Sequence, residues 1–345
     1  MDGPCEKASG DSCNEARHSM KRSRGLIARQ LGQAALLKVG LLAASTPASA
    51  QEVGMLVLEA PASIESAAYG NTPYSFSNEA GLLFYSPALI EQSSGVAVGF
   101  QRYGTEGTLM TLSGAGTGLG GGFAAGFQYM SYDTPLSFLK ERDLQSLAFT
   151  QGEHGATEFA GSIGYARTVL GVHTGVALKY LQQIVDSNQD QTWAADFGLA
   201  KEVGRTMISL TAKNLGSDLK IVEHLCAACD PTELLVTHDL ELPTQIVAGV
   251  SVEQFEVGEF DMILTSQVMR RRDGEFIPAG GVEVSYWPVQ GYTFRIRTGL
   301  QRVTEEDRSP FTVGAAFTGD NITIEYAFQS FDERGSAHRF GLRWH

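Results

Sequence analysis

The last ten residues, Gly335 to Trp344, alternate almost without fault and end on an aromatic ring one residue before the chain stops. Phe340, Leu342 and Trp344 point one way; Arg339, Gly341 and Arg343 point the other. Successive side chains of a β-strand face opposite sides, so such a segment can place one row in hydrocarbon and the other in a polar interior. A closing strand of this kind, ending in an aromatic, is what a transmembrane β-barrel needs.

The same pattern recurs upstream. The spacing predicts fourteen strands, at 95–103, 107–117, 120–133, 157–168, 171–185, 192–203, 205–216, 245–256, 261–272, 278–288, 293–303, 311–319, 321–331 and 335–344. Most are close to the roughly 9–11 residues a tilted strand needs to cross a bilayer. Ile322, Ile324, Tyr326 and Phe328 oppose Thr323, Glu325, Ala327 and Gln329; Phe294, Ile296 and Leu300 oppose Arg295, Arg297 and Gly299. Strands 107–117 and 261–272 alternate poorly.

A soluble β-sandwich also carries one apolar and one polar face per strand. Two features favour the barrel. The strand count is even, and short links near residues 119, 170, 204, 258, 290 and 320 alternate with longer ones at 134–156, 186–191, 217–244, 273–277, 304–310 and 332–334. Short inner turns and longer outer loops are the asymmetry of bacterial outer-membrane barrels. The link at 104–106 is short where an outer loop is due. The longest apolar stretch, Ala34 to Ala44, is broken by Lys38 and falls short of the roughly 18 residues of a transmembrane helix.

That stretch reads as a secretory signal. Lys21, Arg22, Arg24 and Arg29 precede it, and Pro47, Ala48, Ser49 and Ala50 close it with a small-x-small ending. Residues 1–50 are then an N-terminal extension and signal peptide cut after Ala50, with Met20 a second candidate start. Removing them leaves 19 Lys/Arg against 35 Asp/Glu, a net charge of −16. A chain this acidic has no basic field with which to displace counterions from phosphates, so nucleic acid is not an expected partner.

Residues 51–94 do not alternate. Ile64 to Tyr69 predicts a short helix of small residues, and Asn78 to Leu89 a compact turn-and-helix segment that enters from the periplasmic side and plugs the barrel mouth. The expected domains are therefore the extension at 1–50, a plug at 51–94 and the barrel at 95–345.

The segment NEAGLLFYSPALIEQSSGVAVGF at 78–100 resembles the start of the FadL-like outer-membrane proteins. FQYMSYD at 127–133, GVALKYL at 175–181, AADFGLAKEV at 194–203, LTAKNLGSDLK at 210–220, LPTQIVAGVSV at 242–252 and the closing HRFGLRW resemble the PorV/PorQ branch of that group. The family's Asn-Pro-Ala-Gly stands here as Ser86, Pro87, Ala88 and Leu89. The resemblance implies an all-β, fourteen-stranded antiparallel barrel with an N-terminal hatch containing Asn78, Phe84, Tyr85, Ser86 and Pro87. In the fatty-acid branch such a barrel passes hydrophobic molecules; in the PorV branch it accompanies a secretion apparatus.

Among the residues themselves, Arg295, Arg297, Arg339 and Arg343 face inward with Glu283 and Glu325 on neighbouring strands. They form either a charged constriction that binds the carboxylate of an amphipathic ligand or, by preference, a ladder of cross-strand ion pairs. Cys226 and Cys229 read as a small disulfide bracing an outer loop; His224 alone is too few further ligands for zinc. Glycine-rich 113–122 lacks the helix and βαβ context of a phosphate cradle. Tyr180, Tyr286, Phe328 and Trp344 suit aromatic girdles, while Trp287 falls on the inward parity and is expected to cap the lumen. Asp230, His224 and His238 share one loop, but no motif positions a serine beside them, so neither an enzyme nor a cofactor is expected. The expected role is a channel for small hydrophobic or amphipathic molecules in contact with outer-membrane lipids. The alternative is a companion barrel whose loop 217–244 binds a secreted or secretion-apparatus protein.

Overall fold

A computed structural model describes residues 55–103, 107–132, 155–185, 188–224, 235–303, 308–331 and 335–345. The signal segment, Cys226 and Cys229 lie outside these residues. Sixteen strands follow an N-terminal segment: β1 Gly95–Tyr103, β2 Gly107–Gly118, β3 Gly121–Tyr132, β4 Ala156–Val169, β5 Val172–Val185, β6 Asn188–Val203, β7 Thr206–Gly216, β8 Leu219–His224, β9 Leu235–Leu240, β10 Gln245–Val257, β11 Phe260–Arg271, β12 Phe276–Val289, β13 Tyr292–Gln301, β14 Arg308–Gly319, β15 Ile322–Phe331 and β16 Gly335–Trp344.

Fourteen of them close into one antiparallel barrel in which β1 pairs with both β2 and β16. Closure is what membrane hydrocarbon demands, because an open edge would leave backbone N–H and C=O groups with neither water nor a partner. The seam aligns Val96 with Trp344 and Phe100 with Phe340, so apolar residues stay on one face around the full circle. The two remaining strands, β8 and β9, make a separate hairpin within the long link 217–244, and β7 pairs directly with β10. Alternation alone predicts a loop across that link.

Alternation becomes a two-sided wall. In β15 Ile322 and Ile324 are exposed while Thr323, Glu325, Ala327 and Gln329 are buried. The outward row includes Ile163, Leu178, Phe197, Leu210, Ile246, Leu264, Phe294, Val313 and Phe340 from strands all around the barrel. An apolar band of this extent on a water-exposed surface would drive aggregation, whereas in lipid it is the solvated face. Tight turns join the strands at one end. Leu119–Gly120 and Leu170–Gly171 each hold two consecutive residues at positive φ, the backbone twist of a two-residue hairpin.

Trp287 departs from its expected place. The ladder between β12 and β13 shifts between Tyr286 and Val289, which breaks the parity, and Trp287 is 57% exposed at the turn end instead of capping the lumen. Tyr286 and Trp344 face outward at that same end.

The outward face carries a test. Ile296 is 72% exposed in the middle of β13, and Ile296→Arg should cost about 2–4 kcal/mol of folding stability in lipid. Reversible urea unfolding in vesicles would measure it; an unchanged midpoint would mean that this face does not touch acyl chains.

Candidate functional site

Fourteen strands enclose more space than their own inward side chains fill, and residues 55–94 occupy it. The segment runs from Ser94, beside the start of β1 at the turn end, to Met55 at the loop end. It forms a 3₁₀ turn at Leu56–Leu58, a helix at Ile64–Ala68 capped by the Ser63 hydroxyl, and 3₁₀ turns at Ala80–Phe84 and Pro87–Gln92. Val57, Ala68, Tyr69, Leu83 and Ile90 are wholly buried.

With so little regular structure, the segment's backbone groups need partners from the wall. Inward side chains supply them. Gln128 Nε2 donates to Val57 O at 2.9 Å, Thr312 Oγ1 to Ala68 O at 3.1 Å, Gln267 Nε2 to Asn71 O at 2.8 Å and Thr265 Oγ1 to Pro73 O at 2.8 Å. Gln101 Nε2 bonds Pro61 O in the same way. Ser251 Oγ accepts from Ser75 N at 3.0 Å, and Glu158 Oε2 accepts from Val57 N at 2.7 Å. These residues were not singled out from the sequence, although a row of Gln, Ser and Thr on the inward parity was the available signal.

The fit also depends on missing side chains. A Cβ on Gly299 would lie 2.0 Å from Gly70 N, and one on Gly175 would lie 2.2 Å from Pro87 O. Both contacts are with plug backbone, which cannot swing aside as a side chain can.

The charged residues divide into two groups. Arg297 is the hub of the first: its Nε meets Glu283 at 2.7 Å and its second nitrogen meets Glu325 at 2.7 Å. Arg295 lies 3.5 Å from Glu283. From the plug, Glu65 reaches Arg343 at 2.5 Å and Arg297 at 3.8 Å, and Tyr69 donates its hydroxyl proton to Glu283 at 2.7 Å. The wall ladder read from the sequence therefore has a further carboxylate, Glu65, which ties the plug into it. Arg339 stands apart. It bonds Gln101 and Gln329, each at 3.0 Å, and lies over the Tyr103 ring, in contact with amides and an aromatic face where the sequence reading grouped it with Glu283 and Glu325.

Glu79 brings one more carboxyl to this region, buried and accepting a hydrogen bond from Ser63 Oγ at 2.7 Å. Burial, reinforced by the nearby charge of Glu65, pushes its pKa up to about 8. Burial would raise Glu65 as well, but Arg343, Arg297 and Arg295 outweigh it and hold Glu65 below the ordinary carboxylate value. With Glu79 protonated, the carboxylates of Glu65, Glu283 and Glu325 balance the guanidiniums of Arg295, Arg297 and Arg343.

The hatch residues sit at different levels. Phe84, Tyr85, Ser86 and Pro87 are buried against the wall, with Ser86 Oγ accepting from Thr211 at 2.7 Å. Asn78 is exposed at the turn end, 3.5 Å from the His345 ring. At the loop end the interior turns apolar. Met55, Val57 and Leu58 pack against Leu109, Met130, Leu181, Leu219 and Leu242.

No family model and no curated sequence matches the chain. Solved structures do. The Pseudomonas putida toluene transporter TodX overlays with a TM-score of 0.55 at 10% identity, over 85% of this chain and 98% of that one. A TodX mutant described as a monoaromatic hydrocarbon channel gives 0.51 at 12% identity, over 81% and 97%. The fold is shared. The overlay agrees with the closed barrel read from the sequence, and the finer PorV/PorQ placement gains nothing from it.

Two outcomes check the plug's anchorage. Gly299→Val should unseat residues 63–75 while the barrel stays folded, so limited proteolysis would cut within 55–94 and leave the heat-resistant barrel band intact. Equal protease resistance would show that the close packing is not needed.

The second outcome is pH dependence. Free Glu79 ionises near 4.5, while the seated residue keeps its proton to about 8. The seated state is therefore favoured at low pH and progressively loses this advantage between pH 4.5 and 8. Glu65 acts oppositely and only in acid, because its depressed pKa favours seating above the free value. Hydrogen exchange of plug amides, corrected for intrinsic rates, should show greater protection at pH 5.5 than at pH 8.5, and Glu79→Gln should flatten the profile. The reverse slope would rule out a protonated Glu79.

Proposed function

We propose that this protein is an outer-membrane channel for small hydrophobic molecules, drawn here with its plug seated. One observation carries the reading. Where the lumen opens toward the loops, Leu109, Met130, Leu181, Leu219 and Leu242 form an apolar patch that is covered by the chain's own Met55–Leu58 tip. An apolar patch at the mouth of a lumen is of little use to a solute that travels with its water, whereas it lowers the free energy of a molecule leaving water.

The barrel's likeness to a toluene transporter supports the same class of cargo. So does the way the plug is held. Its middle combines apolar packing, such as Leu83 and Ile90 against Ala124, Ala166 and Ala177, with hydrogen bonds and ion pairs that water can replace one by one as the segment withdraws. An apolar plug of equal size would lose its burial with no such compensation.

The companion-barrel alternative would rest on the outer hairpin β8–β9 as a protein-binding element, and the same assay separates the two. Proteoliposomes should take up a small aromatic probe through the full-length barrel, faster once residues 51–60 are deleted, and several-fold slower with Leu181→Glu. Uptake no faster than in empty vesicles, with and without the tip, would sink the channel reading.

A further inference from the structure

Among the described residues, two buried cations of the lumen have no carboxylate of their own: Arg339, which bonds the amides of Gln101 and Gln329, and Lys213. Lys213 lies on β7 where the β6–β7 ladder shifts register between Ala195 and Phe197, so two residues of β7 face Asp196 alone. Asp196 is fully committed: one oxygen accepts from Asn214 N at 2.7 Å, and the other holds Lys179 Nζ at 2.6 Å. Lys179 also donates to Asn214 Oδ1 at 2.7 Å. Lys213 is only 8% exposed, and its ammonium lies over the face of the Tyr85 ring, 5.5 Å from the centroid.

The ammonium borders a cavity of about 30 Å³, which Lys179, Ser86, Ser209, Thr211 and Gln245 also line. The single carboxylate on that lining, Glu59, is bonded to Arg271 at 2.7 Å. Among the described residues, two matched pairs and one unmatched cation leave the pocket with one positive charge too many. Gln245 Oε1 is also buried there without a partner. Room of about 10–15 Å³ suffices for one water-sized occupant, so this space takes two.

We propose that this cavity is a binding site for a small monovalent inorganic anion, of the size of chloride, held by Lys213 together with one water. The ion neutralises the ammonium, the hydroxyls of Ser86 and Ser209 add neutral donors, and the companion water donates to Gln245 Oε1. A buried ammonium without a counter-charge is strongly unfavourable, so occupancy stabilises the closed barrel. Divalent oxyanions are too large for the space and overcompensate its charge. The site does not depend on transport, and it is read on the detergent-solubilised full chain with its plug seated.

Sodium bromide is the direct probe. Crystals of the wild-type barrel grown with bromide should show an anomalous peak beside Lys213 Nζ. In solution, chloride or bromide should raise the unfolding temperature by a few degrees in a saturable way, relative to gluconate at equal ionic strength. Lys213→Met should abolish that dependence and, in gluconate, unfold at a higher temperature than wild type. No anomalous peak together with no difference between chloride and gluconate would overturn the proposal. So would a halide effect that persists undiminished in Lys213→Met, which would place the ion elsewhere. If the variant fails to fold, the anomalous map of the wild type decides alone.

Discussion

Hydrocarbon offers no hydrogen bonds, and that deficit organises this molecule twice. It first forces the strands to close, so that the ladder from β1 to β16 leaves no edge facing lipid. Closing fourteen strands then creates an interior too wide for inward side chains to fill alone. The plug solves that second problem but brings its own peptide groups into a space largely shielded from water. The wall answers with Gln101, Gln128, Thr265, Gln267 and Thr312, each donating to a plug carbonyl. The inward row of each strand thus serves as a set of hydrogen-bond partners for a segment far away in the chain.

Charge follows the same logic. Buried ion pairs add little net stability over apolar packing of similar shape, since desolvation offsets most of the attraction. They do penalise misplacement, because shifting Glu65 would leave Arg343 with only the more distant Glu325, 3.9 Å away, and would take one of three carboxylates from Arg297. The cluster therefore fixes where the plug sits more than how tightly it is held. Glycines such as Gly175 and Gly299 do the complementary work by removing the atoms that would keep the plug backbone off the wall.

What was legible in the sequence follows from this division. Where the lumen side is polar, as on β13 and β15, alternation showed both faces and the strands fell where expected. On β2 and β11 the pattern blurs because the inward residues Leu109, Ile263 and Met269 are themselves apolar. Leu109 meets the tip of the plug and Ile263 meets its tyrosines, so both faces read as greasy. The β8–β9 hairpin was hidden for a different reason: it belongs to no membrane-crossing period and stands outside the barrel ladder. Arg295, Arg297 and Arg343 could be paired with Glu283 and Glu325 from strand adjacency, whereas Glu65 could not, because no periodicity relates a plug residue to a strand. Trp287 was misplaced because a bulge is invisible to a two-residue period.

A plug held this way can be both specific and removable. Apolar packing would give a seat that only unfolding releases, while exposed polar contacts would give no seat at all. Buried polar contacts lie between: each is costly to break while dry and cheap once water has entered. Release should therefore begin where water or ligand gains access first. The loop end meets that condition, since the short Met55–Leu58 tip covers the apolar patch, and an apolar solute replaces its contacts like for like. The arginine cluster lies deeper, toward the turn end, and would be hydrated after the tip has left. Under the proposed channel function, opening is then a sequence of events set by depth, with the hydrophobic tip as the sensor and the charge cluster as the last hold.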